Sequence, residues 1–292
     1  MRGKANLCSV TDVSIDWFTA TFNEGLKQNF AEQKCIHVMK EAEASGCERS
    51  YTNRLGFVGE RVDGFYYGKR GDSLMVIGSG LTADIQAPFF LGLCDKVTRL
   101  DLAATLHDEN GSRDWTAIAF TQCQRSGRIS SGQMKTHRIE GSPDGRTLYI
   151  GARSSDRFVR IYDKTAESKG VYPARTWRWE IEYKHPRAGG VSAYLAANHW
   201  DARTKLDVLR SGLADLRVSL PMAGLGTGWV PKRPKLPTDD DSRLRYAARV
   251  IGPFLTNLIR NVGEERVTNA LARSLLVKER VVSRETGEMD VK

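Results

Sequence analysis

Several hallmarks of membrane, secreted and zinc-binding proteins are missing from this 292-residue sequence. No apolar run is long enough to span a bilayer, and residues 1–20 lack an apolar signal core and carry Asp12 and Asp16. The five cysteines are scattered with no CxxC pair, which argues against a disulfide framework or a zinc site. These absences predict a cytoplasmic protein with reduced thiols and no membrane association.

Two motifs of nucleotide and DNA chemistry are also missing. The glycine-rich stretch over residues 68–80 contains no GxxxxGK[ST] phosphate loop, which argues against an ATPase. The five histidines include no His-x-His pair. This argues against the class of DNA nickases that bind their metal through paired histidines.

Positive charge is concentrated in particular segments of the chain. The formal net charge is +9, and residues 122–187 hold 14 lysines and arginines against 7 aspartates and glutamates. Residues 232–292 hold 13 against 9, so the rest of the chain is slightly acidic. A localised basic region suits a polyphosphate partner because each neutralised phosphate releases condensed counterions. The charge distribution therefore favours nucleic acid over a merely solvated basic surface.

The hydrophobic pattern predicts an α+β protein built on a curved antiparallel sheet. Alternation and β-forming residues predict strands over residues 13–22, 97–106, 147–152, 159–164 and 176–184, with short strands over 56–80. Helices are predicted over 25–45, 114–123, 191–216 and, interrupted by Pro88, over 82–93. The polar stretch 124–145 is predicted to be a basic loop or ribbon. The two β-rich halves would permit a duplicated unit.

Composition divides the chain into three parts. Residues 1–223 are predicted to form the main domain, and residues 224–241, which hold glycine and proline breakers and an acidic run, a linker. Residues 242–292 are predicted to form a helical segment with two helices hinged at Gly263. Its apolar stripe predicts a core or a dimer seam, and a helix-turn-helix that reads DNA is the alternative for its second helix.

Ionisable residues two apart recur in three of the predicted strands, which places them on one face of each strand. Arg99 and Asp101 share a face, as do Arg160, Tyr162 and Lys164. The third strand presents Arg178, Glu180 and Glu182 opposite its tryptophans. The apolar faces would pack into a core, and the charged faces could converge on one polar cleft. The alternative is the ordinary pattern of a half-exposed antiparallel sheet.

A cleft of this composition has the groups needed to cleave a phosphodiester. Carboxylate oxygens suit Mg²⁺ or Mn²⁺, which polarises a phosphate and stabilises charge in the transition state. Arginine and lysine hold phosphate oxygens. A tyrosine such as Tyr162 can be the nucleophile if a cation favours the phenolate or a carboxylate accepts its proton.

Three segments of the sequence resemble the Rep_trans family of replication initiation factors. Residues 147–167, TLYIGARSSDRFVRIYDKTAE, resemble the family's central signature nearly throughout. Residues 97–103, VTRLDLA, resemble its RiDla strand, and residues 175–184, RTWRWEIEYK, resemble a third strand. The order and spacing also agree, and looser similarity extends the resemblance to roughly residues 14–184. Ala104 and Thr105 depart from the pattern, since family members often carry a second acidic residue there.

The resemblance implies a rolling-circle initiator, a metal-dependent nickase that forms a 5′-phosphotyrosyl link through Tyr162 and leaves a free 3′-hydroxyl. It implies a divalent metal near Asp101, Glu180 and Glu182. The charged strand faces independently predict that Arg99, Arg160, Lys164 and Arg178 position phosphates. The expected partners are origin DNA, single-stranded or hairpin at the nick site, a second copy of the chain and a host helicase. Further DNA-backbone contacts are predicted at Arg125, Arg128, Lys135, Arg138, Arg153 and Arg157.

Two rival functions remain open from the sequence. A relaxase that nicks the transfer origin of a mobile element would use the same chemistry at a different DNA site. A DNA-binding regulator without catalysis would keep the basic surface but not the nucleophile.

Overall fold

The computed structural model describes residues 8–108, 111, 113–127, 129, 132, 134–142, 145–222, 259, 260, 263–267 and 269. Ten antiparallel strands form a single open sheet in the order β2-β3-β4-β5-β1-β6-β10-β9-β8-β7. The predicted fold class, α+β with an antiparallel sheet, is confirmed.

The elements alternate between long central strands, short hairpins and helices. The strands are β1 Ser9–Phe22, β2 Ser50–Arg54, β3 Phe57–Val62, β4 Phe65–Arg70, β5 Ser73–Ser79, β6 Lys96–His107, β7 Thr136–Ser142, β8 Gly145–Ile150, β9 Arg157–Asp163 and β10 Thr176–Lys184. The helices are α1 Leu26–Ala44, α2 Gly80–Leu93, α3 Trp115–Arg125, α4 Lys164–Glu167, α5 His185–Ala197 and α6 Ala202–Ala214.

The order of elements repeats in the two halves of the sheet. β1 is followed by α1, the four strands β2 to β5 and then α2, while β6 is followed by α3, the four strands β7 to β10 and then α5. The second half also contains the short α4 between β9 and β10. β1 and β6 are neighbours at the centre, with β5 beside β1 and β10 beside β6. This repeated topology supports the duplicated unit that the sequence permitted.

The helices cover one face of the sheet and form the main hydrophobic core with it. Trp177, Trp179, Ile181 and Tyr183 of β10 alternate into this core, where Tyr183 donates a hydrogen bond to the carbonyl of Val208 on α6. Period-two alternation turns the remaining side chains of β10 to the opposite face. We call this opposite face the site face. It carries Arg99 and Asp101 of β6, Arg160 and Tyr162 of β9, and Arg178, Glu180 and Glu182 of β10.

Aspartate caps explain where two of the helices begin. At two other places the structure decides a prediction made from the sequence. Asp114 and Asp201 cap α3 and α6 by accepting backbone N–H groups of the first turn. The predicted break at Pro88 was wrong, because α2 continues through it. The ribbon alternative for residues 124–145 is supported, since β7 pairs with β8 in this stretch.

The C-terminal part of the chain is described at only a few positions. Gly263 has a φ of 90° between helical residues 259–260 and 264–267, which agrees with the predicted hinge. The predicted linker over 224–241 and the remainder of the predicted C-terminal helices lie outside the described residues. In the described portion, helices are all too short or too polar to cross a membrane.

Candidate active site

Strand order brings the three predicted charged faces together. β10 lies between β6 and β9, so that Glu182 is opposite Asp101 on β6, and Arg178 is opposite Tyr162 on β9. Glu180 is opposite Arg160. All three strands are regular here, and alternation therefore keeps these side chains on the site face. The predicted convergence of phenol, carboxylates and guanidinium groups is present.

Tyr162 is bound to Glu180 at the centre of this cluster. Its hydroxyl donates a hydrogen bond to Oε1 of Glu180 over 2.7 Å, although the tyrosine is only 4% exposed. The same carboxylate accepts from Nε of Arg160 at 2.7 Å and from Nε of Arg178 at 3.0 Å. The guanidinium of Arg160 also lies over the Tyr162 ring, 5.0 Å from its centroid. Glu180 thus links the phenol to two cations.

Arg178 is held by residues that the sequence did not single out for the site. Its Nη1 donates to the hydroxyl of Thr105 at 3.0 Å, and its Nη2 donates to Oδ1 of Asp16 at 2.6 Å. Asp16 is the extra residue of a β-bulge in β1, because Ile15 is opposite Leu102 and Trp17 is opposite Asp101. The sequence signal that could have identified Asp16 is its position between two apolar residues, Ile15 and Trp17, in a predicted strand.

A second ion-pair group lies next to the first on β6 and β10. Nε of Arg99 donates to Oδ1 of Asp101 at 2.9 Å, and Nη2 of Arg99 lies 3.3 Å from Oε2 of Glu182. Lys184 pairs with the other oxygen of Glu182 at 2.7 Å. The Arg99 guanidinium also lies over the Trp17 ring, 4.7 Å from its centroid. Asp101 and Glu182 therefore share one arginine across a single rung of the sheet.

Burial raises the pKa of two central groups, the Tyr162 phenol and the Asp101 carboxyl. The pKa of Tyr162 is raised well above its ordinary value by burial and by the negative charge of Glu180, which outweigh Arg178 and Arg160. The phenol is therefore protonated at neutral pH. Burial raises the pKa of Asp101 to about 7 against the opposing hydrogen bond from Arg99, and Glu182 and Glu180 raise it further.

The candidate metal ligands have suitable donor atoms, but in the structure these atoms contact cations of the chain. Carboxylate oxygens are the donors that Mg²⁺ and Mn²⁺ prefer. Asp101 and Glu182 face each other across the rung, and their repulsion contributes to the raised pKa of Asp101. Within the described ranges, histidine, cysteine, aspartate and glutamate side chains form no group of three arranged to hold a metal ion. The chemistry fits, and metal binding stays a prediction.

The predicted DNA-contact residues fall into two groups. Arg138 and Arg157 are bound within the protein, to Asp114 at 2.6 Å and to Asp215 at 2.8 Å respectively. Arg125 and Lys135 are exposed, and the Arg153 guanidinium lies over the Phe158 ring. Lys164 pairs with Glu167 at 2.7 Å and lies 5.7 Å from the centroid of the Tyr162 ring. Arg128 lies outside the described residues. DNA contacts by all of these side chains stay predictions.

Comparisons with known proteins point to replication initiators. The family model described as "Replication initiation factor" (Rep_trans) matches residues 95–207, a segment that contains Asp101, Tyr162 and the whole of β10. Two curated relatives, both named replication initiation protein and both from Staphylococcus aureus, are 37% identical over 95 residues. These matches cover 31% of this chain and 26% and 27% of the relatives. The predicted resemblance to the family is confirmed for this segment.

The matched segments are short compared with the full length of the curated relatives. The chain spans about a quarter of the length of the curated relatives it matches. A solved structure titled as a rolling circle replication initiator protein from Geobacillus stearothermophilus aligns with a TM-score of 0.49 at 20% identity. That alignment covers 82% of this chain and 96% of the other.

The raised pKa of Asp101 predicts that stability falls as the pH rises. An unfolded aspartate releases its proton near pH ~4, whereas folded Asp101 keeps it up to a pH of about 7. Between these values the folded state holds the extra proton, so raising the pH destabilises it, by at most roughly 4 kcal/mol. The measurement is urea unfolding in EDTA at a series of pH values. Between pH 5 and 8 the free energy of unfolding of the wild type should fall relative to that of Asp101→Asn.

The exposed Asp63, in the turn between β3 and β4, provides the control for this measurement. Asp63→Asn should run parallel to the wild type across the same pH range. If Asp101→Asn also runs parallel to the wild type, Asp101 does not keep its proton in the folded state.

Proposed function

We propose that the chain initiates rolling-circle DNA replication by nicking and rejoining one strand through Tyr162. The contact between the Tyr162 hydroxyl and Glu180 carries the proposal. The Tyr162 hydroxyl, which the family resemblance implies is the nucleophile, lies 2.7 Å from a carboxylate oxygen that can take its proton. Two arginines that touch the same carboxylate can hold a phosphate. The family match over residues 95–207 supports the replication role.

The proposed reaction exchanges one phosphodiester for another. The Tyr162 oxygen attacks phosphorus in line, a bond forms between phosphorus and the tyrosine oxygen, and the bond between phosphorus and the 3′ oxygen breaks. The phenolic proton passes to Glu180, and the departing 3′ oxygen takes up a proton from water. The product is a 5′-phosphotyrosyl link and a free 3′-hydroxyl. Because the bonds exchanged are of the same kind, the reverse attack by a 3′-hydroxyl rejoins the strand.

The electrostatics of the site suit a nucleophile that forms only when DNA is bound. Burial keeps the pKa of the Tyr162 phenol high, so the free protein holds a neutral tyrosine that donates to Glu180, whose carboxyl lies between two guanidinium groups. An incoming phosphate would compete with Glu180 for these cations. The loss of positive neighbours makes Glu180 a stronger base towards the phenol. The Arg160 side chain is 43% exposed and can reach such a phosphate first.

A divalent cation is part of the proposal. Asp101 and Glu182 are the residues that would hold it, and Mg²⁺ or Mn²⁺ would supply charge stabilisation at the scissile phosphate. Arg99 occupies both carboxylates in the structure and would have to release at least one of them. Glu180, the third predicted ligand, contacts Tyr162, Arg160 and Arg178 and is proposed as the base instead. Origin DNA, a second copy of the chain and a host helicase are the proposed partners.

The test uses supercoiled DNA that carries the sequence flanking the coding region, incubated with the full chain and Mn²⁺. The expected products are nicked circles with protein attached through a phenol-resistant bond, and mass spectrometry should locate the attachment at Tyr162. Retained DNA binding with no nicked product under any divalent cation would instead favour the DNA-binding regulator. A nick in a transfer origin but not in a replication origin would favour the relaxase.

A further inference from the structure

We propose that a pocket beside Tyr162 binds one unpaired base of the DNA strand and favours a base that presents an amino group next to a ring acceptor nitrogen, as adenine and cytosine do, over thymine. This inference deepens the proposed function and rests on it for the identity of the ligand. The pocket has a volume of about 470 Å³, within the range of small-ligand sites. Its lining includes Asp12, His107, Tyr172, Pro173 and Thr176.

The pocket lies on the site face, one step along the sheet from the nucleophile. Thr176 pairs with His107, and the next residues on the same face of these strands are Arg178 and Thr105. Arg178 is in turn opposite Tyr162. Two residues along a strand span about 7 Å and one strand across spans about 5 Å. The backbone of Thr176 at the pocket is therefore roughly 9 Å from the backbone of Tyr162, a separation that a neighbouring nucleotide of the same strand can span.

Lys164 connects the pocket to the nucleophile. Its ammonium lies 5.7 Å from the centroid of the Tyr162 ring and 5.3 Å from the centroid of the Tyr172 ring. A phosphate beside Lys164 would join a nucleotide at Tyr162 to a base at Tyr172. The Tyr172 ring is 36% exposed, which leaves a surface on which a base can stack. Its loop is fixed, because the hydroxyls of Thr165 and Thr176 both donate to the carbonyl of Pro173.

The charges of the lining favour a base over a phosphate. Among the described residues that line the pocket there is no lysine or arginine, and Asp12 contributes a carboxylate whose side chain is 53% exposed. Oδ2 of Asp12 accepts from the Ser14 hydroxyl at 3.2 Å and lies 4.0 Å from Nη1 of Arg178. A carboxylate repels phosphate but accepts a hydrogen bond from the amino group of adenine or cytosine. Thymine has no such amino group.

His107 supplies a second polar atom at the pocket. Its Nδ1 is buried and has no hydrogen-bond partner among the described residues. Buried polar atoms are normally paired. This nitrogen becomes available to a ligand in the pocket if the imidazole ring rotates towards it. A base that presents an amino group beside a ring nitrogen could contact Asp12 and His107 together.

The experiment measures binding of short single strands without cleavage. Fluorescently labelled dA10, dC10 and dT10 are titrated with the full chain in EDTA, and Kd is read from fluorescence anisotropy. We expect the wild type to bind dA10 and dC10 about fivefold more tightly than dT10. Asp12→Asn should bring this preference to within about twofold. Tyr172→Leu should weaken all three strands by about tenfold through lost stacking.

Two matched variants on the far half of the sheet serve as controls. Tyr51 on β2 is 77% exposed, and Asp63 is exposed beside β3. Tyr51→Leu should leave the affinities and the base preference unchanged. Asp63→Asn should tighten binding to all three strands by the same factor and leave the base preference unchanged. The ratio of Kd values is the informative quantity, because removing any negative charge tightens binding to all three strands alike.

The result that overturns the inference is an Asp12→Asn variant with the wild-type base preference, or a Tyr172→Leu variant with wild-type affinities. Either outcome is independent of strand cleavage, because the assay contains no divalent cation. Failure of the nicking assay with an intact base preference would instead overturn the proposed chemistry and leave the pocket standing.

Discussion

Tyr162→Phe is expected to abolish the covalent protein–DNA product and to lower nicking by at least about 10³-fold. The change removes the oxygen that would attack phosphorus and leaves the aromatic ring, over which the Arg160 guanidinium lies. DNA binding should stay within about threefold of the wild type, because the cations that would hold phosphate are unchanged. Phenol-resistant attachment to labelled DNA measures the first quantity, and a gel-shift titration measures the second.

Tyr183→Phe is the matched control for this loss. Tyr183 is also buried, at 3% exposed, and its hydroxyl donates one hydrogen bond to the carbonyl of Val208 at 3.3 Å. Each variant removes one buried hydrogen bond. The cost should be about 1 kcal/mol for Tyr183→Phe and about 1.5–3 kcal/mol for Tyr162→Phe, whose hydroxyl donates to a carboxylate. Nicking should persist in Tyr183→Phe. Equal loss of nicking in both variants would mean that stability, rather than a missing nucleophile, explains the effect.

The part of the site that could be predicted from sequence is the part that depends on regular alternation. Arg178, Glu180 and Glu182 share a face because β10 has no bulge, and the apolar partners Trp177 and Trp179 identify the other face. The repeated topology was also open to prediction, since both halves are rich in β-forming residues.

Other features depend on how the strands are assembled and could not be read from one strand at a time. A bulge in β1 lets two consecutive residues, Asp16 and Trp17, contact the site face, where Asp16 binds Arg178 and Trp17 lies under Arg99. Thr105 stands where an acidic residue was expected, and its hydroxyl accepts from Arg178 instead. Counting charges along the sequence also could not show that Arg157 is paired within the protein. Its partner, Asp215, is the residue that ends α6 and is 58 positions away in the chain.

Replacement of Glu180 is the second change with a large expected effect, and it should act on stability and activity together. Glu180→Gln removes a buried charge that accepts from Tyr162, Arg160 and Arg178. Breaking a buried ion pair by removing one partner costs roughly 3–5 kcal/mol. We expect the lower end of this range, because Arg178 keeps Asp16 and the Arg160 side chain is 43% exposed.

Nicking by Glu180→Gln should fall by about 10²- to 10⁴-fold at a temperature where the variant is folded, since the amide cannot accept the phenolic proton. Glu167→Gln is the control, because Glu167 also pairs with a cation of the site, Lys164, but is 44% exposed. It should change the free energy of unfolding by less than about 1 kcal/mol. Urea unfolding and single-turnover nicking on the same preparations measure the two effects. A Glu180→Gln variant with wild-type nicking would remove Glu180 as the base, whatever its stability.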